Sequence, residues 1–282
     1  MRLGIITDEV SQDFEEALQF VKKHSLECVE LRSAWEKGPF DYTEDDIYKI
    51  KALSDAFKIP VTAISSPVFK CEFSSENAKL HTEKFKKIVS FAKILGADKI
   101  RCFDFFKDEN ITKHMIKDAY SDILKICEKE GVTVVVESEP STNSCSCQAV
   151  AQLVEYIGHP NLKALYDPGN NIYSTTEIPY PDGYEYLKKH LCHIHIKDAV
   201  IKDGKAYGAR VGEGLVDYNS LFSRLKKDGY TGDVMLETHY RPEQALSDDT
   251  LKNPKGSAIS QNGYEASELC IVSLKKIIEE NQ

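Results

Sequence analysis

The sequence predicts one α/β domain over residues 1–282, a single (β/α)8 TIM barrel with eight parallel strands. Short apolar or β-branched runs alternate with amphipathic stretches eight times along the 282 residues. An open doubly wound sheet can be built from the same units, but no Gly-x-Gly-x-x-Gly turn follows the first run and no Walker-type lysine loop occurs. In addition, four runs in the second half close on, or carry, a residue able to bind a divalent metal, as strands do when their carboxyl ends share one rim.

Taken in order, the strand-like runs fall near 2–7, 27–32, 60–65, 98–104, 132–138, 162–167, 191–196 and 233–238. Helical periodicity occupies 13–24, 43–57, 77–95, 112–130, 146–157, 183–189, 217–228 and 264–280. Boundary signals agree with these limits. Thr43 precedes Asp46 by three residues as in a capping box, Asp217 precedes the apolar run Leu221, Phe222, Leu225, and Gly96, Gly131 and Gly229 stand just past helix ends. No low-complexity tract or Pro/Gly/Ser-rich linker marks a domain boundary. Two aperiodic segments, Tyr240 to Gly263 and Ile172 to Asp182, follow the last and the sixth strand, so both belong to the rim where barrel loops bind ligands.

Composition bounds the partners. With 41% hydrophobic and 29% charged residues the chain buries a substantial core. Its net charge of -9 and lack of a basic stripe argue against nucleic acid and anionic membranes. No run approaches the ~20 apolar residues of a membrane span. The N-terminus enters a strand without signal-peptide features, and eight scattered cysteines read as reduced thiols, so the expected location is cytoplasmic. A homo-oligomer is allowed but not specified.

Glu137 closes VTVVVE, Asp167 closes LKALYD, His195 lies in LCHIHIKD and Glu237 closes GDVMLE. Alternate strand residues share a face, so parity leaves three choices open: Glu137 or Glu139, His193 or His195, and Glu237 or His239. Pro140 indicates that Glu139 is already leaving the ladder. Two Glu, one Asp and one His form a mixed oxygen and imidazole set suited to Mn²⁺, Co²⁺ or Mg²⁺, with Zn²⁺ or Fe²⁺ as further options. Three acids and a neutral His around a dication leave a net negative site, which favours a neutral chelating polyhydroxy carbonyl compound over a polyanion. Such an ion polarises the carbonyl, and a carboxylate on each side of the adjacent carbon can remove and return its proton.

Single residues at strand ends are ordinarily helix caps or turns, and a lone strand histidine is ordinarily a satisfied core group. Four on one rim are not explained that way. Cys145 and Cys147 lack zinc-knuckle spacing and read as helix-start packing. Arg32, Arg101, Lys197 and Arg210 stand at or beyond strand ends, where they can meet substrate oxygens, Arg101 more simply as a structural pair in the mouth. Glu9, Glu30 and Ser65 read as solvated loop residues.

The runs VVVESEPSTNSC, LYDPGN, HIHIKD, VGEGLVDY and GYTGDVMLETH resemble the sugar phosphate isomerase/epimerase superfamily. These xylose-isomerase-like barrels include ketose 3-epimerases, inosose dehydratases, hydroxypyruvate isomerases and endonuclease IV. The resemblance covers essentially the whole chain. Matched to the ketose 3-epimerase pattern, it implies metal ligation by Glu137, Asp167, His195 and Glu237. It further implies that Glu137 and Glu237 are the acid/base pair on opposite faces of a cis-enediolate. An arginine contacts substrate in that pattern; Arg210 is the nearest candidate, and Arg101, His193, Asn170 and Lys197 complete the substrate-binding set. Asn170 stands where such epimerases commonly carry a histidine, and Ile-Lys-Asp follows His195 as in dehydratase-like members. The resemblance thus implies a metal-dependent isomerase or epimerase of a small ketose or ketose phosphate, with a keto-polyol dehydratase as alternative. An abasic-site endonuclease needs many more converging histidines, and a non-catalytic sugar-binding barrel is the remaining option.

Overall fold

The computed structural model describes residues 1–174, 177–242 and 246–281. Its strands are β1 (Arg2–Ile6), β2 (Cys28–Leu31), β3 (Val61–Val68), β4 (Lys99–Cys102), β5 (Thr133–Glu137), β6 (Leu162–Tyr166), β7 (Leu191–Ile196), β8 (Asp198–Lys202), β9 (Lys205–Ala209) and β10 (Asp233–Leu236). Eight of them close a parallel barrel in the order β1-β10-β7-β6-β5-β4-β3-β2. The TIM barrel expected from the alternation is the fold of this chain. Closure runs through pairing of Ile5 with Leu236 and of Met235 with His195, so the last strand bridges the first and the seventh.

The helices are α1 (Phe14–Lys23), α2 (Glu44–Phe57), α3 (Ser75–Leu95), α4 (Lys113–Glu130), α5 (Cys147–Ile157), α6 (Pro168–Ser174), α7 (Tyr184–Leu187), α8 (Tyr218–Lys227), α9 (Asp248–Lys252), α10 (Gly256–Ser260) and α11 (Gly263–Glu280). Each long helix lays one apolar stripe on the sheet; in α3 the stripe is Phe85, Ile88, Ala92 and Leu95, spaced three or four apart. The Thr43 and Asp46 capping box is present, and α3 and α4 end on the left-handed Gly96 and Gly131. Strands two, four and ten are buried at every position, because helices cover the outside and packed side chains fill the inside. Among the described residues no helix is long and apolar enough to cross a membrane.

Two features depart from expectation. After β7 the chain forms an antiparallel hairpin, β8 paired with β9, which the alternation did not predict. Its signal was in the sequence: Asp203-Gly204 adopts positive φ at both positions (51° and 75°), as a two-residue hairpin turn requires. The aperiodic segment from Tyr240 contains the short helices α9 and α10, too brief to show a period, and Ile172 lies within α6. Positions 175, 176 and 243–245 of the two expected loops lie outside the described residues.

Candidate metal centre and active site

The barrel geometry brings all four strand-end residues together. Glu137 ends β5, Asp167 and Glu237 immediately follow β6 and β10, and His195 lies in β7. One ligand atom from each lies within 4.8 Å of all the others, and all four residues are buried. His195 Nδ1 faces Glu237 Oε2 at 3.4 Å and Glu137 Oε1 at 3.6 Å but has no hydrogen-bond partner. An imidazole nitrogen and carboxylate oxygens converging at this separation form an arrangement that a shared cation resolves. Roughly 2.0–2.2 Å bonds to one ion place neighbouring ligand atoms about 3 Å apart, so the donor set fits a divalent metal. Glu137, Asp167, His195 and Glu237 are the residues that would hold it.

Parity alone had left each position with a spare, and the structure gives the spares separate partners. Glu139 has turned away and accepts from Ser141, with Lys70 at 3.6 Å. His193 Nε2 meets Glu30 Oε2 at 2.6 Å, and the same oxygen takes His195 Nε2 at 3.0 Å. His239 Nε2 stands 3.2 Å from Glu237 Oε1 and 3.4 Å from Glu9 Oε1.

The reading of Glu9, Glu30 and Ser65 as solvated loop residues is corrected: all three are fully buried. Glu30 lies within β2, and a carboxylate flanked by apolar residues inside a parallel strand has no solvent to reach. By fixing Nε2 of His195 as the protonated nitrogen, Glu30 leaves Nδ1 free for a ligand. Ser65 donates to its other oxygen. Arg32 is likewise no free substrate contact, since it spans Asp8, Glu9 and Glu237, the last two at 2.6 Å.

Cations neutralise the acids directly. Arg101 meets Glu137 at 3.0 Å, while the Lys197 ammonium bridges Asp167 at 2.7 Å and Glu237 at 2.8 Å. Gly169 permits this placement, because a Cβ there would lie 2.5 Å from the Lys197 carbonyl oxygen. Burial, only partly offset by Lys197, pushes the Asp167 carboxyl up to about 7. Burial also raises Glu137, but Arg101 and His195 outweigh it and bring that carboxyl down to about 2. Burial disfavours the imidazolium of His195, yet Glu30, Glu137 and Glu237 together hold its pKa well above the usual histidine range.

Asn170 donates to Glu137 Oε1 (3.1 Å) and to the Ser138 carbonyl (2.8 Å), and its backbone N–H donates to Asp167 Oδ1 (3.1 Å). One turn on, Tyr173 lines the same cavity with a hydroxyl that has no partner. Sequence reading missed Tyr173 because Pro-Gly-Asn-Asn reads as a turn, whereas here it opens α6. Arg210 does not join the site. Its Nε donates to Ser273 Oγ at 2.7 Å and to the Leu269 carbonyl, so the guanidinium is pinned against α11.

The cavity over these groups measures about 350 Å³, and the segment carrying α9 contributes Leu251, Lys252 and Pro254 to its wall. That size is at the small end of ligand pockets, suited to a compact molecule.

A closed eight-stranded barrel with a four-residue acid and histidine cluster at its carboxyl rim defines a class of TIM-barrel proteins. Residues 18–259 match the family model described as xylose isomerase-like TIM barrel, and this chain belongs to that family. The L-ribulose-5-phosphate 3-epimerase UlaE of Escherichia coli O157:H7 is 27% identical over 161 residues. That match covers 55% of this chain and 55% of the relative, so the chain spans about half the length of the curated relatives it matches. Among solved structures, a D-allulose 3-epimerase from Methylomonas sp., in complex with D-allulose, superposes with a TM-score of 0.74 at 12% identity. It covers 100% of this chain and 97% of that one. The IOLI protein with a bound zinc atom gives 0.74 at 18% identity, covering 100% and 99%. At these identities the structural likeness speaks for the fold.

Proposed function

We propose that this protein is a divalent-metal-dependent epimerase or isomerase of a small ketose, free or phosphorylated, and that it works by proton transfer through a cis-enediolate. The observation that carries the reading is the Glu137 and Glu237 pair, which converges with Asp167 and the unpartnered Nδ1 of His195 within 4.8 Å. The relative UlaE, an L-ribulose-5-phosphate 3-epimerase, supports it. A bound dication supplies Lewis acidity toward the substrate carbonyl and makes the neighbouring C–H acidic.

Glu137 ends β5 and Glu237 follows β10, with β6 and β7 between them in the barrel, and on this reading they address the two faces of a substrate lying between them. One removes the proton as a carboxylate and the other returns one to the opposite face. Arg101 on Glu137, with Arg32 and Lys197 on Glu237, favours the ionised form of each acid, so the one that returns a proton first takes one from solvent. Asn170 orients Glu137, Glu30 orients His195, and Tyr173 offers its hydroxyl to a substrate oxygen. Mn²⁺, Co²⁺ or Mg²⁺ suit this donor set first, with Zn²⁺ or Fe²⁺ as alternatives. A single catalytic domain acting in the cytoplasm, as a homo-oligomer or alone, completes the proposal.

The test is solvent isotope exchange. Incubation with Mn²⁺ or Co²⁺ in D₂O and a panel of ketoses and their phosphates should place deuterium at one carbon beside the carbonyl. No exchange with any member of the panel would sink the reading. The Lys197 contact favours a second reading: an ammonium 2.8 Å from the Glu237 base is placed to protonate a departing β-hydroxyl, which makes a keto-polyol dehydratase. An unsaturated or diketo product, in place of a stereoisomer, separates the two.

A further inference from the structure

Lys70 is a mostly buried cation for which the proton transfer has no use. It lies two residues beyond β3, lines the cavity, and leaves 9% of its side chain exposed. Its Nζ donates to the Lys252 carbonyl at 2.7 Å and lies 4.9 Å from the centre of the Phe103 ring. Among the described residues the carboxylate paired with it is Glu139, which stands off at 3.6 Å and is already engaged by Ser141. Arg101, from the adjoining strand, packs on the same Phe103 ring, also at 4.9 Å, and its buried Nε has no hydrogen-bond partner. Two cations therefore flank one aromatic ring in the cavity wall, each with donor capacity left over. Burial and the nearby Arg101 both drive the Lys70 ammonium below its usual range. Holding such a group charged away from water is costly unless an anion completes its coordination.

The charge balance deeper in the site points the same way. Counting ligands alone, three acids around a dication leave a net negative site, which favours a neutral substrate. The structure corrects that count. Glu137 already faces Arg101, and Asp167 and Glu237 already share Lys197. A dication added to acids that are already paired leaves the immediate set net positive, even setting aside Arg32, whose charge is shared with Asp8 and Glu9.

We propose that Lys70 and Arg101 form an anion seat beside Phe103, and that the substrate handled by Glu137 and Glu237 carries an acidic group, a phosphate ester or a carboxylate, that docks there. This rests on the proton-transfer reading above and narrows its substrate class. Arg101 supplies a planar face with Nε and Nη donors, Lys70 a point charge, and the segment of α9 closes over Lys70 through the Lys252 carbonyl. Arg101 thus has two duties, holding Glu137 through one nitrogen and addressing the anion through another.

The experiment is calorimetric titration of the Mn²⁺-loaded protein with inorganic phosphate and, separately, acetate, for the parent, Lys70→Met and Lys70→Arg. Met matches the length of the lysine stem and removes a buried charge, so the variant is built to fold; thermal melting checks it. Saturable binding to the parent, weakened at least about tenfold in Lys70→Met and largely restored in Lys70→Arg, is the expected result. Phosphate favoured over acetate assigns a phosphate ester, and the reverse order assigns a carboxylate. Binding of neither anion, or equal binding by Lys70→Met and the parent, overturns the seat. Mn²⁺ titration of the same proteins is the independent readout, expected to agree within about threefold across variants. A parent that binds phosphate in a Lys70-dependent way but takes up no metal retains the seat and loses the metal reading.

Discussion

The clearest handle on the site is Glu30, which touches neither the cavity nor the proposed ion. Its Oε2 receives His193 at 2.6 Å and His195 at 3.0 Å, and both imidazoles are completely buried. In Glu30→Gln an amide oxygen at the Oε2 position still accepts from both rings, but without the negative charge, and the amide nitrogen takes the place facing Ser65. Two charge-assisted bonds become neutral ones, at about 1–3 kcal/mol. The weaker acceptor no longer fixes His195 as the Nε2–H tautomer, and the lone pair at Nδ1 is no longer guaranteed. Loss of such an outer partner lowers metal affinity by about 10–100-fold, or about 1.4–2.7 kcal/mol. Competition between protein and a chromophoric chelator for Mn²⁺ or Zn²⁺ at mildly alkaline pH reads that loss directly. His193→Gln is the matched control, because it disturbs the same buried cluster but leaves the Glu30 to His195 contact in place. It should cost stability without a comparable loss of metal affinity. Equal metal affinity in Glu30→Gln and parent, or equal losses in the two variants, refutes the tautomer argument.

Other outcomes follow from the same contacts. Lys197→Met removes the ammonium bridging Asp167 and Glu237, so metal affinity should rise, by about tenfold or more, in the same chelator assay while isotope exchange falls. Metal uptake should release protons, because Asp167 titrates near about 7 and His195 is held protonated by Glu30, Glu137 and Glu237. Affinity therefore falls as the pH drops below neutrality, and calorimetry in buffers of different ionisation enthalpy counts the protons. Burial, aided by Lys84, depresses His81 to about 4, and its Nδ1 accepts the Phe69 N–H at 2.8 Å. A lowered folded-state value means this stability is present above the unfolded pKa of about 6.5 and is lost as pH falls from there through about 4. The loss is on the order of 3 kcal/mol in urea titrations across that window. Tyr173→Phe deletes a hydroxyl with no protein partner, so the melting temperature should hold while turnover drops.

The alternation of short β-branched runs with amphipathic stretches was enough for a parallel sheet covered by helices, and the missing Gly-x-Gly-x-x-Gly and Walker turns favoured the closed barrel over the open sheet. Capping signals at Thr43 and Asp217 fixed helix starts because they act over three or four residues and owe nothing to the rest of the chain. The Asp203-Gly204 hairpin was equally local and was passed over. Segments whose form depends on distant partners were not legible. The helix α10 is held by Gln12 and Ser33, more than two hundred residues away in sequence, and carries no period of its own.

For the site, the residue types and their recurrence at strand ends were set by the sequence alone: three acids and a histidine that a parallel barrel must carry to one rim. Strand periodicity could not go further, because residues two apart share a face and the pattern alone assigns both members of each pair inward. Tertiary structure decided what each one meets. It gave Glu139 to Ser141, gave the Nε2 atoms of both histidines to Glu30, and left Nδ1 of His195 facing the acids. It also placed Lys197, Arg101 and Arg32 against those acids, from strands up to 205 residues apart in sequence. Charge in a buried site is a property of every group within a few ångströms, and no local pattern in the chain encodes that distance.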